Sequence, residues 1–133
     1  MNTQTDRTIF LRRSLQLDGI ASGLCGVLLL AAASPISALI GLAGPSIARV
    51  VGALLMVYAA ALLYNGARAT VSRAEAVAAV VLNAGWVIGS ALVILAGPLT
   101  LVGNFAVAAV AAAVLLFTML EVVGLTRLRE MAG

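Results

Sequence analysis

LDGIASGLCGVLLLAAASPIS, residues 17–37, decides the fold, because a looser copy returns at residues 82–100 as LNAGWVIGSALVILAGPLT. Each copy opens on Leu and a small acidic or amide residue, runs through glycine and aliphatics, and closes on proline, an aliphatic and a hydroxyl residue. No charge occurs from Gly19 to Ala48, and none from Ala76 to Leu120. Runs of that length match bilayer spans, which need about 20 apolar residues. The repetition predicts two transmembrane hairpins.

Composition agrees. Across 133 residues, 63% are hydrophobic, 10% are charged and mean hydropathy is +1.16, far from the soluble average of about a quarter charged. The length suits one domain. Histidine is absent, which removes His-ligated metals, bis-His haem and His-dependent triads. The single cysteine, Cys25, allows neither an internal disulfide nor a dithiol relay. Leu24 before it is too bulky for a lipoprotein signal, so Cys25 reads as a small packed residue. No cofactor is expected.

Charge and breaker positions set four spans, at about 14–34, 47–65, 73–96 and 104–125. Residues 1–13 are polar, and an amphipathic approach helix from about Thr5 would lay Ile9, Phe10 and Leu11 on the interface with Arg7, Arg12 and Arg13 at lipid phosphates. The basic start and Ala31-Ala32-Ala33 imitate a cleavable signal. Asp18 at its edge and Pro35 just beyond argue for a retained span instead. Pro35 is expected to end the first helix, residues 36–46 to lie on the outer interface, and Ser46 to cap the second. Ser72-Arg73-Ala74-Glu75 has capping-box form and marks the third helix start.

Arginine placement orients the chain. Arg7, Arg12 and Arg13 flank the first span, Arg68 and Arg73 sit between the second and third, and Arg127 and Arg129 follow the fourth. The other two connections hold Arg49 alone. By the positive-inside rule both termini face the cytoplasm. The expected architecture is an all-α polytopic four-helix bundle of two parallel-related hairpins in the bacterial inner membrane. A pI near 10.0 then reflects attraction to anionic lipids, with no nucleic acid involved.

Polar residues within the spans are few. At 1.5 Å per residue, Asp18 lies about 24 Å from the outer end of its span and Asn83 about 21 Å from the outer end of its own. Glu121, with Thr118 one turn away, returns to that level, and Asn65 and Arg68 end the second span there. Polar side chains in membrane helices turn toward the bundle, so these residues define either a pocket or a hydrogen-bonded clamp. Arg68 or Arg127 would supply the counter-ion. Trp86, one turn past Asn83, would form a wall, and Tyr58 and Tyr64 are within reach. Gly19 with Gly23, and Gly85 with Gly89, form GxxxG faces that predict close approach of the first and third spans, within one chain or between two copies. Nothing here has the spacing of a nucleophile elbow, phosphate loop or metal site.

The order LRRSLQLDGIASG, LNAGWVIGSAL and then Glu121 before TRLRE resembles short, arginine-flanked bacterial four-span membrane proteins, a likeness that covers nearly the whole chain and implies no activity. The small multidrug transporters are similar in size and carry a carboxylate in their first span. Here Asp18 is shallower and the aromatic lining thinner. The leading expectation is a non-enzymatic accessory, helix-packing or small-molecule-binding membrane protein, as a homodimer or in a larger complex. The second is a proton-coupled carrier of cationic or polar compounds using Asp18 or Glu121.

Overall fold

The computed structural model describes residues 3–133, with side chains described for residue 6, residues 8–130 and residue 133. Five helices follow in order: α1 (Thr3–Ala31), α2 (Ala33–Ile40), α3 (Pro45–Ala67), α4 (Arg73–Ala96) and α5 (Leu101–Ala132). Four of them are long and apolar enough to cross a membrane.

The break between α1 and α2 comes from Pro35. Proline has no N–H, and its ring collides with the carbonyl four residues back, here that of Ala31. The helix therefore yields at Ala32 and restarts, rather than stopping at Pro35 as expected from sequence. Residues 33–40 form a helix, which ends in Gly41 at φ 91° with Leu42 N–H donating to Ser37 O at 2.8 Å. That six-to-one bond is a Schellman closure, and only glycine enters its left-handed region freely.

Pro45, read as a breaker, instead occupies the first turn of α3 behind an extended Gly44 cap, where its fixed φ suits the helix and its missing N–H is harmless. Ser46 is not the cap. Thr100, in sequence only the closing hydroxyl of the second copy, caps α5: its hydroxyl accepts from Gly103 N–H at 3.0 Å and donates to Leu39 O at 2.8 Å. One side chain thus starts α5 and fastens it to α2. Glycine at 103 is required, because a Cβ there would collide with Ile40 O.

α1 packs along α3 and α5, α4 packs along α5, and α3 meets α4 only thinly. The start of α1, the end of α3, the start of α4 and the end of α5 gather at one end of the bundle. There Leu11 and Leu15 are buried with Leu62, Ala76 and Ala79. An added Cβ at Gly124 would lie 3.0 Å from Leu11 Cβ, and Arg127 stacks over Phe10 at 4.7 Å. α1 runs unbroken through residues 3–31, so no separate approach helix precedes it; Leu11 is core rather than interface. The Arg7 side chain lies outside the described residues.

Arg12 also departs from its expected role at lipid phosphates. Its guanidinium donates to Gly66 O at 2.7 Å, Arg68 O at 2.6 Å and Ala69 O at 3.2 Å. These carbonyls terminate α3, the negative end of the helix dipole. Arg12→Ala is expected to destabilise the protein by about 1.5–3 kcal/mol, the range for hydrogen bonds to a charged group. Arg12→Lys should recover under half of that, since an ammonium cannot present a planar fork to several acceptors. Thermal unfolding in mild detergent measures both.

The exposure pattern is inverted relative to a soluble protein. Large aliphatic and aromatic residues such as Leu95, Leu101, Val57 and Phe105 are among the most exposed, while Asp18, Asn65, Asn83 and Glu121 are buried. Such a surface suits hydrocarbon.

Candidate functional site: a polar knot joining four helices

Each long helix contributes one polar side chain to a single buried cluster: Asp18 from α1, Tyr58 from α3, Asn83 from α4 and Glu121 from α5. Asp18, Asn83 and Glu121 are 1%, 4% and 0% exposed, so none can rely on surrounding solvent for hydrogen bonds. Their partners must be one another.

The Asn83 amide is the hub. Its Nδ2 donates to Asp18 Oδ2 at 2.9 Å and to Glu121 Oε2 at 3.3 Å, which uses both of its N–H groups. Its Oδ1 accepts from the Tyr58 hydroxyl at 2.9 Å, and that hydroxyl also contacts Asp18 Oδ2 at 3.1 Å. Ser22, one turn along α1, donates to Asp18 Oδ1 at 3.1 Å. Glu121 Oε1 is buried without a partner among the described residues. The knot sits six residues from Arg12 on α1, six from Arg127 on α5, and ten from Arg73 on α4 and Arg68 on α3. It therefore lies about 9–15 Å inward from the arginine-bearing end.

Of the residues singled out in sequence, the structure brings Asp18, Asn83, Glu121 and Tyr58 together and engages Asn65, Arg68 and Thr118 in other bonds. Asn65 is buried, but it braces the following loop: its Oδ1 accepts from Ser72 N–H at 2.7 Å and its Nδ2 donates to Ser72 O at 3.2 Å. This arrangement displaces half of the expected capping box. Ser72 still accepts from Glu75 N–H at 3.3 Å, yet Glu75 pairs with Arg68 at 3.3 Å instead of returning to Ser72. Arg68 also lies over the Tyr64 ring, and so is no counter-ion for the knot. Thr118 donates to Val114 O within its own helix.

Trp86 Nε1 is buried with no hydrogen-bond partner among the described residues, so its packing, not its N–H, is what it contributes. Tyr58 was the undervalued residue. Its position ten residues before Arg68 matches the ten that separate Arg73 from Asn83, a depth match readable in the sequence.

The glycine faces separate into two kinds. Gly19 and Gly23 lie against α3, where added Cβ atoms would meet Leu63 Cγ at 3.0 Å and Ala59 Cβ at 3.5 Å. Gly85 and Gly89 on α4 have nothing within 4 Å. Within the chain, then, the glycines of the first and third spans do not meet. Among the described residues no group of three His, Cys, Asp or Glu side chains could hold a metal ion. Family models, curated proteins and solved structures offer no match to this chain.

Proposed function

We propose that the chain is a non-enzymatic multi-pass protein of the bacterial inner membrane, with both termini cytoplasmic and arginines on anionic headgroups. Its polar knot fixes the register of two hairpins, and the open glycine face of α4 receives a second copy. The observation that carries this reading is the closure of the knot: four helices turn their polar groups on one another, and little polar chemistry faces outward from within the apolar spans. The arginine asymmetry supports the orientation. The open space at Gly85 and Gly89 supports helix association, since lipid supplies no hydrophobic drive and close backbone approach must serve instead. The two sequence copies agree with a duplicated hairpin.

Single-cysteine crosslinking in native membranes tests the reading. In a Cys25→Ser background, Gly85→Cys is expected to form a disulfide dimer on oxidation. Val57→Cys, on the exposed face of α3, should stay monomeric. Equal crosslinking at both sites, or none at Gly85→Cys, counts against a dimer through α4. Purification in mild detergent then identifies any other membrane partner.

A second reading, a proton-coupled carrier, is favoured by one feature: the knot contains two carboxyl groups where an amide pair would clamp the helices at lower desolvation cost. Proton-driven uptake of a cationic dye into proteoliposomes, lost in Asp18→Asn, is its expected signature.

A further inference from the structure

The knot holds one hydrogen fewer than it has close polar contacts, which leaves room for one more. Four N–H and O–H groups reach it: one from Ser22, one from Tyr58 and two from Asn83. Both Asn83 hydrogens are committed to carboxylate oxygens. The single Tyr58 hydrogen faces two acceptors, Asn83 Oδ1 at 2.9 Å and Asp18 Oδ2 at 3.1 Å, so one of those close oxygen pairs has no hydrogen between its members. Glu121 Oε1, fully buried, has no partner among the described residues.

Charge gives the same answer independently. Asp18 Oδ2 and Glu121 Oε2 both lie within 3.3 Å of one nitrogen, Asn83 Nδ2. The groups facing them are Ser22 on α1, Tyr58 on α3 and Asn83 on α4, none of them cationic. Arg12 is held on backbone carbonyls and Arg68 on Glu75, and Glu121 interacts electrostatically with Asp18 and Asn83. Two bare carboxylates face to face in hydrocarbon repel without compensation. One proton converts the same contact into a charge-assisted O–H···O bond.

We propose that the knot is a proton-binding site: Asp18 and Glu121 share one exchangeable proton, which latches the α4–α5 hairpin to α1 and α3. The latch follows from the packing. α4 meets α3 only thinly, and at the depth of the knot the bonds from Asn83 to Tyr58 and Asp18 cross that seam; nearer the arginine-bearing end Asn65 and Arg68 cross it to Ser72 and Glu75. Removing the proton leaves like charges on α1 and α5, both bonded to Asn83 beside the thin α3–α4 seam, and that seam is where the bundle can give. This deepens the carrier reading, but it is detected without any flux, so either can fail alone.

Infrared difference spectroscopy on the full chain in phosphatidylethanolamine–phosphatidylglycerol vesicles tests the site. Titrating pH should reveal the C=O band of one protonated carboxylic acid that shifts in deuterated buffer. The band should shift in Asp18→Asn and in Glu121→Gln, each isosteric, and vanish in the double variant. Spin labels at Val57→Cys and Val81→Cys in a Cys25→Ser background should move apart as the band is lost. Absence of a titrating band in the wild type, or its survival in the double variant, overturns the site. Loss of the band on adding sodium chloride, but not choline chloride, at fixed pH assigns the site to sodium instead. A band that titrates while the label distance stays constant overturns the latch.

Discussion

Asn83→Leu is expected to produce the largest loss of stability of any single substitution in the knot, about 3–5 kcal/mol in reversible unfolding from mixed micelles. The figure is that for leaving a buried charge without its compensating group. Its amide donates both to Glu121 Oε2 and to Asp18 Oδ2, and so ties α4 to α5 and α1 at one point. Leucine fills similar volume, so packing alone predicts far less. The bonds themselves are not the main term either, because hydrogen bonds between membrane helices average about 0.6 kcal/mol. What dominates is two buried acidic groups left with no amide between them. The double-mutant cycle separates these contributions. In an Asp18→Asn/Glu121→Gln background, Asn83→Leu should cost about 1–2 kcal/mol, since the neighbouring amides can then pair with each other. Equal cost in both backgrounds would refute the electrostatic account and leave only shape.

The contrast between what sequence reading recovered and what it missed has a physical pattern. α4 falls at residues 73–96 as expected because both of its ends are set locally, by the Ser72 cap and by Gly97 at φ 74°. The first span was misplaced because its outer limit depends on where a proline ring strikes a carbonyl, four residues upstream of the proline itself. The last helix starts earlier than expected because Thr100 is held by Leu39 across the bundle, a tertiary contact with no local sign. Within the site, depth counting placed Asp18, Asn83 and Glu121 on one level, since helical rise is fixed. Counting could not say which residues at a level face inward. Asn65 and Asn83 are the same residue type, both buried, yet one binds a loop and the other joins helices; only the rotation of each helix separates them.

The same limit hid the close backbone contact between α1 and α3. Gly26 belongs to the first glycine stripe, but its counterpart is Gly52, which sits in no repeated motif. A Cβ built at Gly26 would lie 2.9 Å from Gly52 O, and one built at Gly52 would lie 3.0 Å from Gly26 O. The two backbones touch here, and backbone cannot move aside as a long side chain can. Gly26→Val is therefore expected to destabilise the protein by about 3 kcal/mol, the upper end of overpacking. It should do so by prying α1 from α3, whose contact here is direct backbone packing. Gly85→Val is the matched control. It makes the same change on the same helix type, but into open space, and should shift monomer stability by no more than about 0.5 kcal/mol. If a second copy does sit on α4, Gly85→Val should abolish the dimer while leaving the monomer's unfolding unchanged, and Gly26→Val should do the reverse to the monomer. Unfolding in detergent above the dimer's dissociation range, paired with crosslinking in membranes, reads the two effects separately. Equal loss of monomer stability in both variants would mean that glycine's role is helix flexibility in general, not the close approach at Gly26 and Gly52.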